Sequence, residues 1–108
     1  MGETLKIKDG VILQGLQLPM RQVLIVADKI WKKYGQELVV TAGLDGVHSA
    51  GSLHPFGYAI DLRNRYFTEA QKKEVEFELR MKLPSEYDVI RHSTHIHVEY
   101  DTKKAGIL

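Results

Sequence analysis

The chain reads as an α+β domain, with a small, mainly antiparallel sheet flanked by two principal helices. Three observations predict this. Two segments carry apolar residues at helical spacing between residues suited to start and stop a helix. Several short runs are rich in β-branched and aromatic residues. The length, 108 residues, is that of a single compact domain spanning 1–108.

Taken in order, Thr4–Lys8 and Val11–Gln14 are β-prone and separated by Asp9-Gly10, a dipeptide that favours a tight turn, so they predict a hairpin. From Pro19 the pattern turns helical. Met20, Leu24, Ala27, Trp31 and Tyr34 recur at three- and four-residue spacing, and Gly35 suits the stop. Glu37–Ala42 is short and apolar and fits a buried strand, followed by a loop rich in glycine and small polar residues. Gly57–Arg63 predicts a strand with Tyr58, Ile60 and Leu62 on one face and Ala59, Asp61 and Arg63 on the other. Thr68-Glu69-Ala70-Gln71 has the form of a capping box and opens a second helix that Pro84 stops. Here two patterns conflict, because Val75, Phe77, Leu79, Met81 and Leu83 alternate as in a strand. Composition and the explicit cap favour the helix. Tyr87–Arg91 and His95–Tyr100 read as the last two strands, and Trp31, Tyr34 and Phe77 as core aromatics.

Charge narrows the partners. Fifteen lysines and arginines against 14 acids leave +1, which gives no electrostatic reason to expect nucleic acid or an anionic membrane surface. Without cysteine, any metal must be held by His, Asp or Glu. The segment Met1–Lys6 has no basic stretch leading into an apolar run, which points to a chain that is cytoplasmic as synthesised.

Four of the five histidines fall in two short segments, His54 in Ser52–Asp61 and the other three in His92–His97. A histidine, an aspartate seven positions later and a distant His-x-His supply two imidazoles and a carboxylate, the ligand set of a catalytic zinc with one open position. His95 and His97 are two apart on a strand and therefore share a face. Iron triads of the same composition usually place the first histidine and the carboxylate two apart, against seven here, which ranks zinc first.

Ser52-Leu53-His54-Pro55-Phe56-Gly57-Tyr58-Ala59-Ile60-Asp61 resembles the S-x-H-x-x-G-x-A-x-D pattern of the zinc D-Ala-D-Ala carboxypeptidase superfamily, with one extra residue between Ser and His. His95–Glu99 resembles that group's closing His-x-His strand. The superfamily includes phage endolysins and the amino-terminal domain of hedgehog proteins. The resemblance covers about Leu38 to Asp101 and implies a hedgehog/DD-peptidase-like fold, with zinc bound by His54, Asp61 and His97. It further implies a peptidase cleaving peptidoglycan stem peptides or cross-links, as a carboxypeptidase or endopeptidase, that reaches the wall after release or as part of a virion.

Two positions depart from the family pattern. Many members carry a carboxylate three residues before the last ligand, where this chain has Thr94. His92 resembles the histidine that some carboxypeptidases of the group use, and becomes the expected proton-transfer group, with His95 expected to orient a ligand or contact substrate. An arginine that clamps the substrate carboxylate is also missing, since Leu44 and Asp45 follow Gly43. Arg63 and Arg91 are the substitutes that the sequence offers. His48 reads as a loop residue. These departures keep a second expectation in play: a zinc-containing module of the same fold that binds or builds a virion without turnover.

Overall fold

The computed structural model describes residues 5–44 and 57–106, so Asp45, His48 and His54 lie outside the described residues. Five strands and two helices follow one another as β1 (Leu5–Ile7), α1 (Leu18–Lys33), β2 (Leu38–Ala42), β3 (Ala59–Arg63), α2 (Glu69–Lys82), β4 (Tyr87–Arg91) and β5 (His95–Tyr100). The sheet order is β1-β2-β3-β5-β4. Only β1 and β2 run parallel; the other neighbours are antiparallel. The α+β class and both helices are as the sequence predicts. No helix among the described residues is long and apolar enough to cross a membrane.

Both helices pack on one face of the sheet. Met20, Val23, Ala27, Ile30 and Trp31 of α1 and Val75 and Leu79 of α2 meet Leu38, Val40, Ile60, Leu62, Ile96 and Val98 in one buried cluster. Helix α1 stops where expected because Gly35 adopts φ 77°, a conformation that costs other residues a Cβ clash, and its N–H closes on the Lys32 carbonyl. At the start of α2, Thr68 Oγ1 accepts from the Gln71 N–H at 3.1 Å, and Gln71 Oε1 accepts from the Thr68 N–H at 3.0 Å. That reciprocal cap fixes the helix against the alternating pattern behind it. The core then takes Val75, Leu79 and Leu83, four apart, and leaves Phe77 63% exposed and Met81 68% exposed. Phe77 is thus not a core aromatic: two-residue steps place it on the far side of a helix.

The hairpin expected over Thr4–Gln14 does not form among the described residues. Asp9-Gly10 does turn the chain, with the Val11 N–H donating to the Lys8 carbonyl at 3.1 Å, but β1 pairs with β2 and Val11–Gln14 lies outside any strand. The reason is tertiary. The edge of β2 offers β1 a full set of backbone partners, and Val11 and Leu13 pack against the core. Beyond the turn, the Ile12 carbonyl accepts the Leu44 N–H at 2.7 Å, and a Cβ on Gly43 would meet that oxygen at 2.4 Å. Only glycine lets the two segments come so close.

Candidate functional site

The candidate site lies on the sheet face away from the helices. Alternation along β3 turns Ile60 and Leu62 into the core and Asp61 and Arg63 outward, and along β5 it buries Ile96 and Val98 and turns out His95, His97 and Glu99. The antiparallel register sets Asp61 directly opposite His97 and Arg63 opposite His95. The cross-strand partners therefore share one side.

His97 sits between two carboxylates. Its Nδ1 is 2.9 Å from Asp61 Oδ1, its Nε2 is 2.8 Å from Glu99 Oε1, and its side chain is only 16% exposed. Burial, the largest single influence, disfavours the imidazolium, but hydrogen bonds and charge attraction from Asp61 and then Glu99 outweigh it and raise the His97 pKa above 6.5. Two of the three expected zinc ligands, Asp61 and His97, are thus brought together, while the third, His54, lies outside the described residues. Among the described residues no group of three or more His, Asp or Glu forms a cage for a metal by itself. The donor chemistry nevertheless fits zinc. With Glu99 accepting the Nε2 proton, the Nδ1 lone pair of His97 and an oxygen of Asp61 face each other across 2.9 Å, an arrangement that only a proton or a cation relieves.

The sign of the resulting pH dependence follows. A histidine whose folded pKa is raised stabilises the metal-free protein fully below about 6.5, and that contribution is lost as pH rises through the folded value. Urea unfolding of chelated protein should therefore show wild type losing stability relative to His97→Gln as pH climbs from 6 toward 8. A difference that stays flat across that range would show that Asp61 and Glu99 do not charge His97.

The remaining expected residues divide. His95 Nε2 lies 3.9 Å from Asp61 Oδ2, and the His95 and His92 rings stack with centroids 4.6 Å apart. Both join the Asp61 cluster. Arg63 shares the face and lines a neighbouring cleft with His95. Arg91 does not reach the site. Its register partner is the buried Ile96, so it points to the helices, where its Nε donates to Glu76 Oε1 at 2.7 Å. Thr94, at the position of the missing carboxylate, lies 3.1 Å through its hydroxyl from His95 Nδ1.

The turn that carries His92 is held through three successive carbonyls. Asn64 Nδ2 donates to the His92 carbonyl at 3.1 Å, Lys72 Nζ to that of Ser93 at 2.8 Å and the Asn64 N–H to that of Thr94 at 3.1 Å. Asn64 and Lys72 are buried and reach these oxygens from the position just after β3 and from α2. Sequence reasoning missed both, and also Glu99. The signals were there: His95, His97 and Glu99 step by two, and Lys72 lies on the 72, 75, 79, 83 stripe that otherwise carries only buried apolar residues. Comparison with protein-family models, with curated proteins and with solved structures found no match.

Proposed function

We propose that the chain is a zinc-dependent peptidase acting on bacterial peptidoglycan, with a hedgehog/DD-peptidase-like fold. The observation that supports this most is the Asp61-His97-Glu99 line, a carboxylate and an imidazole side by side with a second carboxylate holding the far ring nitrogen. A ligating histidine is commonly oriented in this way by an acceptor on its other nitrogen. The resemblance around His54–Asp61 and His95–Glu99 adds the third ligand and the substrate class.

In this reading Asp61, His97 and His54 hold the ion and Glu99 keeps the proton on Nε2 of His97. Zinc bound there supplies a water acidified to a pKa of about 7 and an electrophile for the peptide carbonyl. His92 would be the group that takes and returns a proton, because its ring stacks on that of His95 at the edge of the cluster. Lys72 and Asn64 fix that edge by gripping the backbone of the turn. Action on the wall follows release of the protein or its incorporation in a virion.

The experiment is release of new amino groups from purified peptidoglycan of several chemotypes, comparing zinc-loaded protein, chelated protein and His92→Ala. Loaded wild type should be active, the chelated sample silent and His92→Ala slower by about 100-fold, the lower range for loss of general acid–base catalysis. Thr94, a hydroxyl where relatives of this type carry a carboxylate, favours the second reading, a zinc-containing module that binds or builds without turnover. Stoichiometric zinc with no amino-group release on any wall would establish that reading and end the first.

A further inference from the structure

Beside the Asp61 cluster, Lys8, Thr41, Arg63, Arg65, Thr94 and His95 line a cleft of about 240 Å³. No carboxylate is among these lining residues. Among the described residues none of Lys8, Arg63 and Arg65 forms an ion pair, whereas Lys6, Lys33, Arg80 and Arg91 each pair with a glutamate. Cations gathered without counter-charge repel one another.

The backbone holds them together regardless. The Lys8 N–H donates to the Val40 carbonyl at 2.9 Å, which continues the β1 register and brings Lys8 beside Thr41. The β2–β3 register shifts between Val40 and Ala42, so Thr41 is the extra residue of a bulge, and its hydroxyl reaches the Asp61 carbonyl at 3.4 Å. Arg63 faces His95 across the ladder, and the buried Asn64 ties the start of the Arg65 turn to Thr94. Side chains from four separate stretches of sequence thus converge on one cleft, and among the described residues the positive charges of Lys8, Arg63 and Arg65 have no ion-pair partner.

The geometry points to a binding site for a phosphate group in this cleft. Three formal positive charges exceed what a single carboxylate neutralises, whereas a phosphate group, a mixture of monoanion and dianion at neutral pH, carries on average about 1.5 to 2 negative charges. Two guanidinium groups suit its oxygens as planar donor pairs, the ammonium of Lys8 as a point charge, and the Thr41 and Thr94 hydroxyls as further donors. Through His95, which lines the cleft and stands 3.9 Å from Asp61 Oδ2, the phosphate would lie next to the candidate metal centre.

The test is an NMR titration of metal-free protein with inorganic phosphate at constant ionic strength and neutral pH. Saturable shifts are expected at the amides of Arg65, Thr94 and His95. Arg65→Gln and Lys8→Gln should each weaken binding by about tenfold, the loss of one charge-assisted hydrogen bond, while Lys104→Gln, whose lysine pairs with Asp88, should not change it. A parallel titration with glycerol phosphate separates sources: equal binding marks a phosphate ester as the ligand, and binding of the inorganic ion alone marks free phosphate. Acetate binding as tightly as phosphate, absence of saturation, or indifference to both Arg65→Gln and Lys8→Gln would each overturn the proposal. Because the protein is metal-free throughout, the outcome is independent of whether it proves to be a zinc peptidase.

Discussion

Replacing His97 by alanine should abolish zinc binding and peptidoglycan hydrolysis together, while Glu99→Gln should retain zinc but weaken its affinity by about 10- to 100-fold. The two variants separate a ligand from the group that orients it. His97→Ala removes the nitrogen that faces Asp61 at 2.9 Å. Glu99→Gln leaves that nitrogen in place and removes only the charge, 2.8 Å from Nε2, that holds the proton there and raises the basicity of the ring. A chelator-competition titration followed by the amino-group assay reads both effects. Since both side chains lie on the face away from the helices, neither change opens the core, and urea unfolding of the chelated variants serves as the check. Full zinc occupancy in His97→Ala would eliminate this centre, and wild-type affinity in Glu99→Gln would reduce Glu99 to a bystander.

Trp31→Ala should cost about 3–5 kcal/mol of unfolding free energy, the range for deleting a large aromatic from a packed interior. Trp31 is fully buried on α1, meets Phe67 edge-on at 5.6 Å between centroids, and donates its Nε1 proton to the Arg63 carbonyl at 2.8 Å. Alanine leaves both a cavity and a part-buried carbonyl without its donor. Trp31→Phe fills most of the cavity but not the hydrogen bond, so it should cost about 1–3 kcal/mol, the penalty for stranding one such group. The site feels the same loss, because the Arg63 carbonyl ends β3 and Asn64, which grips the His92 turn, follows it directly. Denaturant midpoints of the two variants measure the split. Equal losses for alanine and phenylalanine would mean that the hydrogen bond, rather than the ring volume, carries the effect.

Much of this architecture is legible along the chain because its causes are local. The apolar spacing from Met20 to Tyr34, the glycine after it and the reciprocal Thr68–Gln71 cap each act within a few residues, and both helices stand where those signals put them. Strand β3 follows from alternation in the same way, and β4 and β5 stand where the last two short runs of β-prone residues predict them. Where two local signals disagreed, at Val75 to Leu83, the cap prevailed, and the core then used only the residues four apart. Phe77 was misread because an apolar side chain states a preference for burial but not the direction its helix will face. The expected hairpin failed for a related reason. Asp9-Gly10 specifies a turn, whereas the partner of β1 is chosen by an edge some thirty residues away.

For the site, the sequence by itself determined the inventory and the faces: Asp61 outward on one strand, His95 and His97 outward on another, and no thiolate to compete with them. Only the tertiary structure decided who meets whom. Strand register set Asp61 against His97, alternation sent Arg91 to Glu76 on the helix side, and the β1–β2 pairing carried Lys8 to Arg63 and Arg65. The physical reason is the range of the forces involved. Side-chain period and capping are set by neighbours a few bonds away, but a charge finds its partner through space, and the distance to that partner exists only once the core has closed.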